Sequence, residues 1–247
     1  MKSLLFLSAA LATFAFASLA HAEETPVYEL RIYTTNEGKL DDLNARFRDH
    51  TVKLFEKHGM KNMGYWTPTD PALKDNTLIY ILQHKSRDAA KKSWAAFSAD
   101  PDWQKAKAAS EENGKIVSKA ESVYMNETDF SPHDLENGSN TRLFELRKYT
   151  CAEGRLPNLH QRFRDGELDL FTKAGMQHIF YFEPTDTPGL LIYVVAHKDD
   201  ADAKKSWASF RGDPEWIKMR DASEADGPIV TKVESTMMVP TDYSALK

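Results

Sequence analysis

Val27-Tyr28-Glu29-Leu30-Arg31-Ile32-Tyr33 comes back later in the chain as Leu143-Phe144-Glu145-Leu146-Arg147-Lys148-Tyr149. The first of these stretches is short and β-rich, and it stops at a loop composition, Thr34-Thr35-Asn36-Glu37-Gly38. The likeness extends outward from both. Val27–Asp70 aligns with Leu143–Asp186 without a gap, with 22 of 44 positions identical. Leu78–Asp129 aligns with Leu191–Asp242, with 28 of 52 identical. Half identity over two such blocks is not chance, so the chain carries one domain twice. The reading places domain 1 at 26–130 and domain 2 at 141–244. Between them, 131–140 is polar, holds Pro132 and Gly138 and shows no periodicity, which reads as a linker.

Within a copy, the periodicity changes in a definite order. After the first strand, Leu40, Leu43, Phe47, Leu54 and Phe55 recur at helical spacing, and Gly59 stands as a stop. Met60–Thr67 predicts a second strand. Leu78–Leu82 is a continuous apolar run, as expected of a strand buried on both faces. Ala90, Trp94 and Phe97 return to helical spacing, and Asp100-Pro101 caps and opens a further helix. Lys119–Met125 is the last strand. The order β-α-β-β-α-β is that of a ferredoxin-like unit, whose sheet has helices on one face only. The expected architecture is therefore α+β: two ferredoxin-like repeats packed sheet to sheet as an intrachain pseudo-dimeric α/β barrel.

The N-terminus is of another kind. Lys2 precedes an apolar run from Leu4 to Ala20, and Ala20-His21-Ala22 fits a small-x-small cleavage site. Residues 1–22 are expected to be a signal peptide, and the protein to be exported to the periplasm or the extracellular space. No second apolar run reaches membrane-spanning length, so no membrane contact is expected of the mature form. The net charge of −5 and the lack of a basic cluster argue against nucleic acid. The single cysteine, Cys151, excludes an intrachain disulfide. Spacing of His, Asp and Glu suggests no zinc site, and no C-x-x-C-H haem-attachment motif occurs.

Several motifs resemble the NIPSNAP family. They are Tyr28-Glu29-Leu30-Arg31-x-Tyr33 with Glu37-Gly38-Lys39-Leu40, and Phe144-Glu145-Leu146-Arg147-x-Tyr149 with Glu153-Gly154-Arg155-Leu156. Asp100-Pro101-x-Trp103 and Asp213-Pro214-x-Trp216 add the family's D-P-x-W element. The resemblance covers both repeats. It implies the dimeric α/β-barrel superfamily, which includes cofactor-free and haem-degrading monooxygenases, isomerases and haem peroxidases. Where many members carry Tyr-Asp-Ser after the third strand, this chain has His84-Lys85-Ser86 and His197-Lys198-Asp199.

Strand alternation groups Glu29, Arg31 and Tyr33 on one face, and Glu145, Arg147 and Tyr149 on its counterpart. With Tyr28, Leu30 and Ile32 assigned to the helices, the polar set is expected to face the barrel interior. There it forms either a pocket for a small, anionic ligand or a set of paired charges that dock the half-barrels. His84 and His197 are candidates for a general base or an axial haem ligand, expected near the Tyr33 end of the cleft. Alternatively they are strand-end histidines bonded to backbone or water. Ser110-Glu111 with Gly114, and Ser223-Glu224 with Gly227, read as helix C-terminal turns rather than catalytic serines. Two functions follow. One is a binding module for a small molecule or partner, with further homo-oligomerisation left open. The other is a monooxygenase or isomerase, cofactor-free or haem-dependent. Whether the protein is an enzyme stays undecided by the residues alone.

Overall fold

A computed structural model describes residues 25–132 and 142–247. The segment expected to be a signal peptide and most of the expected linker lie outside the described residues. The first copy contains β1 (Val27–Thr35), α1 (Leu40–Arg46), a π-helical turn (Phe47–Thr51) and α2 (Val52–Lys57). It continues with β2 (Lys61–Pro68), β3 (Thr77–His84), α3 (Arg87–Ala99), α4 (Pro101–Ser110) and β4 (Val117–Glu127). The second repeats this order as β5 (Leu143–Cys151), α5 (Leu156–Arg162), a π-helical turn (Phe163–Glu167) and α6 (Leu168–Lys173). Then come β6 (Gln177–Pro184), β7 (Leu190–His197), α7 (Asp200–Gly212), α8 (Pro214–Ser223) and β8 (Val230–Pro240).

The eight strands close into one antiparallel barrel in the order β1-β3-β2-β8-β5-β7-β6-β4. Each copy supplies four adjacent strands, and two seams join the copies. Trp66–Pro68 pairs with Met238–Pro240, and Met125–Glu127 pairs with Phe182–Pro184. Closure leaves no strand edge free, which removes the usual route to edge-to-edge association. Beyond each seam the chain crosses onto the other copy. Tyr243 packs on Phe47 and Tyr65 while Arg48 clamps Asp242. Reciprocally, Phe130 stacks on Phe163 and Arg164 clamps Asp129.

The barrel interior is an apolar core. Tyr28, Leu30, Trp66, Ile79, Ile81 and Met125 of the first copy meet Phe144, Leu146, Phe180, Phe182, Val194 and Met238 of the second. Volume is traded between the copies within this core. Trp66 folds back over Gly64, where an added Cβ would overlap the indole ring. At the equivalent positions the second copy has Phe182 and Phe180, stacked 5.4 Å apart. Two further cores lie between sheet and helices, one in each copy. In the first, Leu43, Phe47, Phe55, Tyr80, Leu82 and Phe97 pack beneath α1–α4. In the second, Leu159, Phe163, Phe171, Tyr193, Val195 and Phe210 do the same beneath α5–α8.

This arrangement corrects the expected faces of β1 and β5. The alternation is right, but the layers are exchanged. Tyr28 and Leu30 fill the barrel, while Glu29, Arg31 and Tyr33 face the helices, as do Glu145, Arg147 and Tyr149. The physical reason is the supply of partners. The barrel interior is lined by apolar groups from both copies, whereas α3 and α7 bring indole N–H donors to the other face.

Candidate functional site

Two polar clusters occupy equivalent places under α3 and α7. Glu29 is fully buried and accepts four hydrogen bonds. They come from Arg31 Nη1 (2.9 Å), Ser122 Oγ (2.6 Å), Trp94 Nε1 (2.7 Å) and His84 Nε2 (3.0 Å). Glu145 repeats the set with Arg147 (2.5 Å), Ser235 (2.6 Å), Trp207 (2.6 Å) and His197 (3.0 Å). Burial by itself would raise these carboxyls. The hydrogen bonds from the histidine and serine, together with the arginine charge, outweigh it and hold both at about 2. Because the carboxylate only accepts, each histidine carries its proton on Nε2. Arg31 lies over the Trp94 ring at 4.7 Å and Arg147 over Trp207 at 4.1 Å, and each donates on to Tyr33 or Tyr149. Every oxygen of the two carboxylates is engaged. The clusters fasten helix to sheet, and they bring together all eight residues expected from the sequence to be functional.

The histidines are placed differently from expectation. In the antiparallel register His84 stands opposite Val27, and Leu78 stands opposite Tyr33. His84 therefore sits at the far end of β1 from Tyr33, and its side chain is fully buried against Glu29.

Open space lies farther along the same helical face. In the first copy a cavity of about 280 Å³ runs between β1, β4, the π-helical turn and α4. Phe47, Phe55, Phe97, Trp103 and Val117 give it apolar walls, and Tyr33, Arg46, Thr51, Lys107, Glu111 and Lys115 bring polar groups to it. Arg46 is buried, donates to Glu111 (3.1 Å) and Ser110 (3.2 Å), and lies over the Trp103 ring at 5.2 Å. The π-helical turn displaces the helix beyond Arg46, and Thr51 Oγ1 accommodates it by donating to the Arg46 carbonyl at 3.1 Å. Gly114 and Gly227, at φ 104° and 114°, follow α4 and α8 as stops, as the sequence predicts.

The sequence reading missed Arg46, Thr51 and Glu111 as a group. A signal was available: Arg46-Phe47-Arg48-Asp49 recurs as Arg162-Phe163-Arg164-Asp165, while Thr51 within that repeated frame becomes Glu167. A haem does not fit this cavity. Its lining holds no histidine, cysteine or methionine, and Tyr33 already accepts from Arg31. His84 and His197 are sealed against their carboxylates. Among the described residues, no group of three or more His, Cys, Asp or Glu side chains is arranged to hold a metal. No helix among them is long and apolar enough to cross a membrane.

Structural comparison places the barrel among known folds. A protein from Fusobacterium nucleatum, described as a candidate monooxygenase, superposes with a TM-score of 0.59 at 11% identity, over 90% of this chain and 98% of its own. A second candidate monooxygenase, from Lactobacillus acidophilus, superposes with a TM-score of 0.54 at 13% identity, over 91% and 100%. A NIPSNAP family protein of unknown function from Agrobacterium tumefaciens aligns at 18% identity, over 46% of this chain and 100% of its own, with a TM-score of 0.40. Among curated proteins no sequence matches. The NIPSNAP family model matches residues 28–132 and again 144–245, in step with the two copies seen in the barrel. The chain belongs to the NIPSNAP family, with two tandem NIPSNAP domains.

Proposed function

We propose that this protein is a binding module that takes up a small, largely apolar molecule in the cavity of its first repeat. One observation carries the reading: an aromatic-walled cavity of about 280 Å³ with a buried arginine at its polar end. It lies near the lower limit of ordinary ligand pockets, about 300 Å³. The site is thus between sheet and helices, whereas the barrel interior is packed with apolar side chains from both copies. Each half is read as a ferredoxin-like unit, and the two together as a pseudo-dimer within one chain. The strand order β4-β1-β3-β2 and its repeat β8-β5-β7-β6 support that reading.

Native mass spectrometry of protein purified from its own host tests the proposal. A bound small molecule is expected, and it should be lost in Ala120→Trp, which places a large ring at the cavity rim. Retention of the same molecule by that variant would move the site elsewhere. Oxygenase or isomerase turnover, the activity class the superfamily suggests, is the second reading. The shared fold of the two candidate monooxygenases favours it. We also propose that the protein acts after export, with a mature N-terminus at Glu23. N-terminal sequencing of the native protein that starts at Met1 would refute this.

A further inference from the structure

We propose that the cavity of the first repeat recognises a carboxylate, and that Glu167 of the second repeat is a built-in counterpart of that ligand group. The inference rests on the cavity being a binding site, and it names the chemistry of what binds. Arg46 and Arg162 hold equivalent positions. Each is about 5% exposed, each donates through Nη1 to a glutamate just past α4 or α8 (Glu111 at 3.1 Å, Glu224 at 3.3 Å), and each lies over a tryptophan ring. They differ at Nε. Arg162 Nε donates to Glu167 Oε2 at 2.8 Å, whereas Arg46 Nε is buried and has no hydrogen-bond partner among the described residues.

The cause lies in the turn, where two of five residues differ: Gly166, at φ 141°, stands where the first copy has His50, and Glu167 where it has Thr51. Position 51 holds threonine, whose hydroxyl turns to a backbone carbonyl, where position 167 holds a buried glutamate. A buried donor left without an acceptor is costly, and a guanidinium N–H is best satisfied by an oxyanion. The surroundings agree. Tyr149 and Trp216 are buried around the Arg162–Glu167 pair, while Tyr33 and Trp103 beside Arg46 are only half-buried. Lys107 and Lys115 add positive charge to the open cavity, and where Lys115 stands the second copy has Pro228. Arg46 is already matched by Glu111, so these lysines leave the cavity net positive. The ligand is a small monocarboxylate with an apolar body, and one is bound per chain.

Titration calorimetry with 2-naphthoate and its neutral isostere 2-naphthamide tests this on the full chain. The acid is expected to bind at one site per chain, about tenfold or more tighter than the amide. Thr51→Glu, which supplies the first copy with its own carboxylate, should abolish acid binding. Glu167→Thr, which removes the second copy's carboxylate, should raise the stoichiometry to two. Equal binding of acid and amide, both lost in Thr51→Glu, would overturn the carboxylate assignment while leaving the cavity as the binding site. Binding of neither probe, or binding unaffected by Thr51→Glu, would overturn both. A stoichiometry that stays at one in Glu167→Thr would overturn the role given to Glu167. Should Thr51→Glu fail to fold, the comparison of acid with amide on the unaltered chain decides the carboxylate assignment, and should Glu167→Thr fail, Glu167→Ala takes its place in the stoichiometry test.

Discussion

Glu29 and Glu145 are carboxylates with no access to water and four donors each. Such groups are stabilising only as complete sets, because a donor stranded without its acceptor keeps its desolvation cost. Glu29→Ala is therefore expected to cost about 3–5 kcal/mol, read as a shift in urea midpoint. The linkage with pH has a definite sign. Both carboxyls are held at about 2 in the folded protein against an ordinary 4.5, so the unfolded chain takes up protons first as pH falls. Stability from these groups is full above about pH 4.5 and declines as pH drops toward 2, by about 3 kcal/mol for each site. Unfolding midpoints at pH 7, 4 and 3 measure this. In Glu29→Gln/Glu145→Gln the slope between pH 4.5 and 3 should flatten, and an unchanged slope would place acid sensitivity elsewhere.

Among the elements, the crossing tails after β4 and β8 connect packing to the site. Tyr243 stacks on Phe47, which itself lines the cavity, and donates to Asn44 at 2.8 Å. Truncating a buried aromatic costs about 3–5 kcal/mol, and Tyr243→Ala should lie at or below the low end because its ring is only part-buried. It should also loosen the cavity wall and weaken binding there. The neighbouring Arg48–Asp242 pair is bidentate but well exposed on both sides. Arg48→Ala is accordingly expected to change stability by less than about 1 kcal/mol. Chemical denaturation of the two single variants separates aromatic packing from surface charge. A loss in Arg48→Ala equal to that in Tyr243→Ala would contradict the assignment. Beneath these tails the two π-helical turns occupy equivalent places but differ in path, because Gly166 adopts φ 141° in the second. The first presents Thr51 to the cavity, and the second holds Glu167 buried against Arg162.

At the scale of the molecule, the apolar barrel interior belongs to neither copy alone. Residues 25–132 expressed without the rest would expose Tyr28, Leu30, Trp66, Ile79 and Ile81, an unpartnered apolar face of the kind that drives association. The two halves, 25–132 and 142–247, are expected to co-purify as a one-to-one complex when expressed together, and each to self-associate when expressed alone. Light scattering on the separated halves checks this, and two stable monomers would refute a shared core. What the sequence by itself determined is periodic and local. The duplication, the order of strands and helices, the cap at Asp100 and the grouping of Glu29 with Arg31 and Tyr33 all follow from spacing and residue type. Which layer that group faces was decided only in three dimensions. Both faces of β1 carry buried residues, so alternation sorts its side chains into two sets without saying which set meets the helices. The cavity was hidden for a similar reason. Arg46, Thr51 and Glu111 come from a helix, a displaced turn and a segment 65 positions beyond Arg46, and only the packing of α4 against α1 and that turn brings them to one place.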